Sequence, residues 1–122
     1  MAILDFTTTL NSPINKLLDE IMNFSNYPQY LPQQLKKIEI LEQNSIEIHT
    51  RETLTFSNYL KKSFEQESIH KKISDTELHT KIISGPAKGT FVSVIFKELN
   101  SDTQILVRVD LKLSLTAKFL QP

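Results

Sequence analysis

The sequence predicts a single α+β domain built mainly of long antiparallel strands. Three observations carry this reading: period-two hydrophobic alternation through most of the chain after residue 35, one short stretch with helical spacing near the start, and breaks between the alternating segments too brief for crossovers. At 122 residues the chain suits one domain and is too short for two independent cores.

Residues 2 to 10, rich in β-branched and apolar side chains, predict a first strand that stops at the turn chemistry of Asn11-Ser12-Pro13. Ser12 suits an N-cap and Pro13 a first helical position, and Ile14, Leu17, Leu18, Ile21 and Met22 then repeat at helical spacing, predicting a helix over 13 to 23. Asn15 stands where a reciprocal capping box would need Glu or Gln. Two prolines and three aromatics follow within 23 to 32, and a short helical turn is expected at 26 to 31. Alternation then predicts strands near 35 to 42, 46 to 56, 59 to 72, 76 to 84, 89 to 99 and 103 to 118, seven in all with the first. Gln43-Asn44-Ser45, Ser57-Asn58, Ser74-Asp75 and Asn100-Ser101-Asp102 separate several of them, so neighbours should pair as a meander of hairpins.

Two strands say most about sidedness. In the third, Ile46, Ile48, Leu54 and Phe56 share a face with Thr50 and Glu52, and Glu47, His49, Arg51, Thr53 and Thr55 share the other. In the last, Ile105, Val107, Val109, Leu111, Leu113, Leu115 and Ala117 line one face. Leaving six large apolar side chains of that row wet would forgo roughly 9 to 18 kcal/mol, comparable to the stability of a domain. The predicted helix is too short to cover it all.

Composition excludes several functions. Fourteen Lys and Arg balance fourteen Asp and Glu, which gives no field for nucleic acid or anionic membrane. Absence of cysteine removes disulfides and thiolate chemistry and agrees with a reducing compartment, and with neither a basic leader nor an apolar run of membrane length the chain is expected to be soluble and cytoplasmic. The only glycines, Gly85 and Gly89, flank Pro-Ala-Lys, leaving no material for a phosphate-cradling loop. No cofactor is expected.

Nothing in the sequence assembles a catalytic site. His49, His70 and His79 sit on separate predicted strands without metal-ligand spacing, so no metal site is predicted, and His49 and His79 share faces with charges. Glu47, Glu52, Glu65, Glu67, Glu77 and Asp110 could supply a general acid or base only if desolvated beside a pocket. Glu52, in phase with Ile48 and Leu54, is the single candidate; the plainer expectation places its carboxylate near an open edge in reach of water. Tyr59-Leu60-Lys61-Lys62-Ser63-Phe64 and His70-Lys71-Lys72 place basic residues near aromatics, but Glu65 and Glu67 lie between them and the whole reads as a mixed solvated face.

The order of strand, helix, aromatic turn and six strands resembles the polyketide cyclase/dehydrase and coenzyme Q-binding branch of the START and pollen-allergen superfamily. The resemblance spans the chain and is most specific at Phe24-Ser25-Asn26-Tyr27-Pro28-Gln29-Tyr30-Leu31-Pro32, with support from Gly85-Pro86-Ala87-Lys88-Gly89. It implies a helix-grip fold, a curved seven-stranded sheet closing around a C-terminal helix over an apolar cavity. The gripping helix expected after Leu120 is missing from the sequence. Three explanations stand open: a truncated domain, which is preferred, a cover from another chain such as a homodimer partner, or a domain that binds something larger. The implied function is binding or transport of an apolar small molecule, a lipid, isoprenoid quinone or polyketide-like compound. Phe24, Tyr27 and Tyr30 would stand at the mouth, with hydroxyls to orient the ligand, and Leu54, Phe56, Phe91, Val107, Val109, Leu111 and Leu113 would form the floor. A cyclase-type enzyme and an assembly-factor module using the uncovered sheet face are the alternatives.

Overall fold

Strands β1 (Ala2–Leu10) and β2 (Leu35–Gln43) lie at opposite edges of one seven-stranded sheet, so the chain between them must cross the sheet face. The computed structural model describes residues 2–30, 35–55 and 63–113. Helix α1 (Ile14–Met22), a 3₁₀ turn at Phe24–Asn26 and a one-turn helix α2 (Tyr27–Tyr30) make that crossing. After β2 come β3 (Glu47–Thr55), β4 (Ser63–Ser74), β5 (Glu77–Ile82), β6 (Phe91–Leu99) and β7 (Asp102–Leu111). Each pairs antiparallel with its predecessor, and β1 closes the order onto β7. The meander and the α+β class follow the expectation. Among the described residues no helix is long and apolar enough to cross a membrane.

The core forms where α1 meets the middle of the sheet. Leu17 and Leu18 pack on Leu78 from β5, Phe96 from β6 and Ile105 from β7, and Ile14, Ile21, Met22, Val94 and Val107 complete the layer. The spacing of the α1 residues is the apolar stripe read in the sequence, now matched to alternate residues of three strands. Toward the β1 edge the inner face stays open: Phe6, opposite Val107, is 55% exposed, and Leu4, opposite Val109, is also exposed.

Three local expectations change. Ser12 does not cap α1; the N-cap is Pro13 in extended conformation (φ −71°, ψ 154°), with no side-chain capping bond. Ser12 stands one residue early, and its carbonyl accepts the hydroxyl of the fully buried Thr103 at 2.6 Å, which ties the β1–α1 turn to the start of β7. The last strand ends at Leu111, because its pairing with β1 ends at Ala2 and its pairing with β6 starts at Phe91. Beyond that point Thr90 Oγ1 accepts from the Lys112 amide and donates to its carbonyl, both at 3.0 Å. Positions 114 to 118 of the predicted strand, 59 to 62 of the predicted fourth and the Ser57-Asn58 break lie outside the described residues. Finally, β5 and β6 are shorter than expected, since a tight turn occupies Gly85 to Gly89, both glycines at positive φ (90° and 94°).

Candidate functional site

A cavity of about 220 Å³ lies between the crossing segment and the sheet, walled by Ile21, Met22, Phe24, Tyr27, Leu78 and Val94, with His70 and Thr80 on its floor. The aromatic turn builds the wall. Phe24 is buried and stacks on the His70 ring at 4.0 Å between centroids and 24° between planes, and Tyr27 leans against Phe24 at 5.0 Å. The Tyr27 hydroxyl donates to the Ile21 carbonyl at 2.5 Å, pinning the turn to the end of α1. Burial pushes that phenol up to about 12.

Beside this apolar wall runs a buried polar chain across three strands. Antiparallel pairing sets His70 of β4 opposite Thr80 of β5 and Ser68 of β4 opposite Thr50 of β3, and Glu52 follows Thr50 on the same face. His70 Nδ1 lies 2.7 Å from Thr80 Oγ1, His70 Nε2 lies 2.9 Å from Thr50 Oγ1, and Thr50 Oγ1 donates to Glu52 Oε1 at 3.1 Å. Each hydroxyl carries one proton, so the directions are coupled. With Thr50 donating to Glu52, the ring donates from Nε2 to Thr50, and a neutral ring then accepts at Nδ1 from Thr80. That assignment requires a neutral imidazole.

The electrostatics agree. Burial, and secondarily the charge of His49, lowers His70 to about 4, so the ring is uncharged at neutral pH. Its Nε2 comes within 3.9 Å of Glu52 Oε1, yet a protonated ring pressed under Phe24 would lose more hydration than one carboxylate at that distance returns. Burial likewise raises the Glu52 carboxyl above its ordinary range, against opposing hydrogen bonds from Ser68 and Thr50. Glu52 is 8% exposed, and its Oε2 is buried without a hydrogen-bond partner.

The structure sorts the predicted site residues. Glu52 faces inward as anticipated, but its carboxylate does not reach water at an edge; it is buried. Phe24 is a buried wall, not a mouth, and the Tyr27 proton is already spent on Ile21. The Tyr30 side chain and Phe56 lie outside the described residues. Leu54 shares the inner face with Glu52, and Val107, Val109 and Leu111 run along the inner row of β7, of which Val107 touches the core. Leu113 lies past the strand and is exposed. Phe91 is on the opposite face: it pairs with Asp110 and sets its edge against the His79 ring at 5.0 Å, because the Gly85 to Gly89 turn starts β6 one residue out of the expected phase. The remaining acidic candidates are on that outer face, where His49 pairs with Glu67 at 2.9 Å, His79 with Glu77 at 2.5 Å and Lys71 with Glu47 at 3.8 Å. Among the described residues no three metal-ligating side chains converge.

Sequence reading missed His70, Thr80 and Thr50 as a set. A bulge between Lys72 and Ser74 shifts the β4–β5 register, and without it His70 would face Lys81. Ile69 and Ile73, the apolar residues of β4 near His70, lie on the outer face beside Glu47 and His79. The one available signal was the period-two row Gln66, Ser68, His70, unusually polar for an inward row.

No protein-family model matches the sequence, and no curated protein does. Solved structures do. The Zhui aromatase/cyclase from Streptomyces sp. R1128 superposes with a TM-score of 0.81 at 13% identity, over 96% of this chain and 71% of that one. A START superfamily protein from Mycobacterium smegmatis gives 0.78 at 15% identity, over 94% and 79%. Ara h 8.0201 gives 0.71 at 16% identity, over 95% and 80%. At these identities the likeness establishes architecture, and the chain has the START-like, helix-grip-like α+β fold that these proteins share.

Proposed function

We propose that this protein binds an apolar small molecule, a lipid, isoprenoid quinone or polyketide-like compound, on the inner face of its sheet. The observation that carries the reading is the cavity beneath α1 and the aromatic turn, which opens an apolar space with a few convergent polar groups where a small domain would ordinarily close its core. The exposed inner-face residues Leu4 and Phe6 extend that apolar surface toward β1. The fold shared with an aromatase/cyclase and a START superfamily protein supports the same assignment. Ligand at a hundred times its Kd adds about 2.7 kcal/mol to folding stability. Thermal unfolding with fatty acids, isoprenoid quinones and aromatic polyketides should therefore show a rise in Tm for at least one class. Failure of every class to raise Tm refutes the proposal, and a self-associating species that buries Leu4 and Phe6 instead would favour an interaction module.

A cyclase-type enzyme is the second reading, favoured by one specific observation: the inward, buried carboxyl of Glu52 with its raised pKa. Glu52→Gln would abolish turnover of a reactive polyketide chain without unfolding the protein. Retained turnover in the folded variant removes this reading.

A further inference from the structure

The buried polar chain has two self-consistent arrangements of its protons. With Glu52 as carboxylate, every hydrogen bond points toward it: Thr80 to His70 Nδ1, His70 Nε2 to Thr50, Thr50 to Glu52 Oε1. Thr80 then has spent its proton and offers the cavity only a lone pair. With a proton on Glu52 Oε1, every bond reverses: Glu52 donates to Thr50, Thr50 to Nε2, and the ring, as the other neutral tautomer, donates from Nδ1 to Thr80. Thr80 then has its proton free for the cavity. The second arrangement holds one proton more than the first, and that proton resides on Glu52.

We propose that Thr80, His70, Thr50 and Glu52 are a reversible hydrogen-bond wire that recognises the single oxygen of an apolar ligand at Thr80, accepting from a hydroxyl when Glu52 is ionised and donating to a carbonyl when Glu52 is protonated. This rests on reading the cavity as a ligand site. Three features of the geometry support it. The only wire members on the cavity floor are Thr80 and His70, whose nitrogens are both engaged, so Thr80 is the free terminus. Apolar Phe24, Leu78 and Val94 dominate the lining beside that terminus, and its other polar side chains are already engaged, Tyr27 with the Ile21 carbonyl and Lys71 with Glu47. At the far end Glu52 Oε2 is buried and unpartnered, and the carboxyl is held by the wire and the Ser68 hydroxyl, with the charge of His49 only the smallest of the effects that favour its ionised form. A ligand hydroxyl can also pass its proton along the wire: it gives a proton to Thr80 Oγ1 as the Thr80 proton moves to Nδ1, the Nε2 proton to Thr50 and the Thr50 proton to Glu52. The products are a ligand oxyanion, the Nδ1–H tautomer and a neutral carboxyl.

The ionisable groups nearest the wire are Tyr27 from α2, Lys71, which borders the cavity and pairs with Glu47, Lys72 further along the inner row of β4, and His49 with Glu67 on the outer face behind it. Long-range ¹H–¹⁵N NMR of the ring nitrogens tests the wire without any ligand. Between pH 8 and 5 His70 should stay neutral and change from the Nε2–H to the Nδ1–H tautomer; E52Q and T50V should each abolish the change, and H49Q should keep it. A single tautomer throughout, or a ring that becomes charged near pH 6.5, overturns the proposal, and wild-type protein alone decides this if T50V fails to fold. Benzyl alcohol and acetophenone then serve as probes. The alcohol should bind about fivefold tighter at the high-pH end and the ketone about fivefold tighter at the low-pH end, the worth of one net hydrogen bond, with both preferences lost in T80V. Equal pH dependence for the two probes refutes recognition at Thr80. A switching tautomer with neither probe bound refutes the cavity reading and leaves the wire standing.

Discussion

Acidification should unfold this domain largely through His70. The ring titrates at about 4 in the folded protein, against an ordinary 6.5, because it is buried beneath Phe24. Between those values the unfolded chain holds a proton that the native ring refuses, so stability rises with pH across the window and is fully present above it. At about 1.4 kcal/mol per pH unit the window is worth about 3 kcal/mol, a large share of the roughly 5 to 15 kcal/mol that holds a domain folded. Glu52 acts in the opposite sense. Its folded pKa is raised, so its stabilising contribution is present below the unfolded value and lost as pH rises through the folded one. His70 is therefore measured as a difference: urea unfolding of wild type and H70Q from pH 7.5 to 4, with wild type expected to lose about 3 kcal/mol more than the variant across the series. Parallel curves, or a ring that titrates near 6.5 by NMR, would refute the burial argument.

Four further outcomes follow from the packing and the turns. Phe24→Ala removes the ring stacked on His70, and should cost about 3 to 5 kcal/mol by urea unfolding while moving the His70 pKa up toward its ordinary value by NMR. Phe96, 2% exposed at the centre of the core, should cost a similar amount, about 3 to 5 kcal/mol on truncation to Ala, with no effect on the His70 titration. Gly85→Ala places a Cβ 2.9 Å from the Glu65 carbonyl at φ +90°, and a loss above about 1 kcal/mol in thermal or urea unfolding is expected. Glu52→Gln keeps an acceptor for Thr50 and removes a buried charge, so the variant should be more stable than wild type at pH 8, with the gap closing as pH falls toward 5.

What could be read in advance was whatever depends on nearest-neighbour pattern. The Ile14, Leu17, Leu18, Ile21 stripe found its strands, β1 matched its predicted bounds, and Glu52 was put on the inner face because alternation along one strand survives any error in pairing. The polar chain was invisible for the converse reason. It needs Thr50, His70 and Thr80 opposite one another on three strands, and the bulge at Lys72 and Ser74 sets that register. Phe91 failed at the turn between Gly85 and Gly89, where positive φ at both ends changes the phase at which β6 resumes. Ser12 failed because the helix starts at Ile14 with Pro13 as its N-cap, one residue later than the turn chemistry suggested.

The polar chain is also the part of the inner face that folding alone does not account for. Ile48 precedes Thr50 on β3, Leu78 precedes Thr80 on β5, and both are buried apolar residues in the same row. Apolar side chains in place of Thr50, Glu52, Ser68, His70 and Thr80 would continue the core with no desolvation cost, and replacing buried polar sets by packed hydrophobics is commonly neutral or stabilising. A merely tolerated polar patch would leave several donors and acceptors unmet. Here each hydroxyl and both ring nitrogens are matched, and the one unmatched oxygen belongs to the carboxyl, the member that can change its charge. If the wire proposed above operates, titration at its one unmatched end would put the ligand chemistry on the β3–β5 wall and not on the apolar row of β7 where sequence alone directs attention.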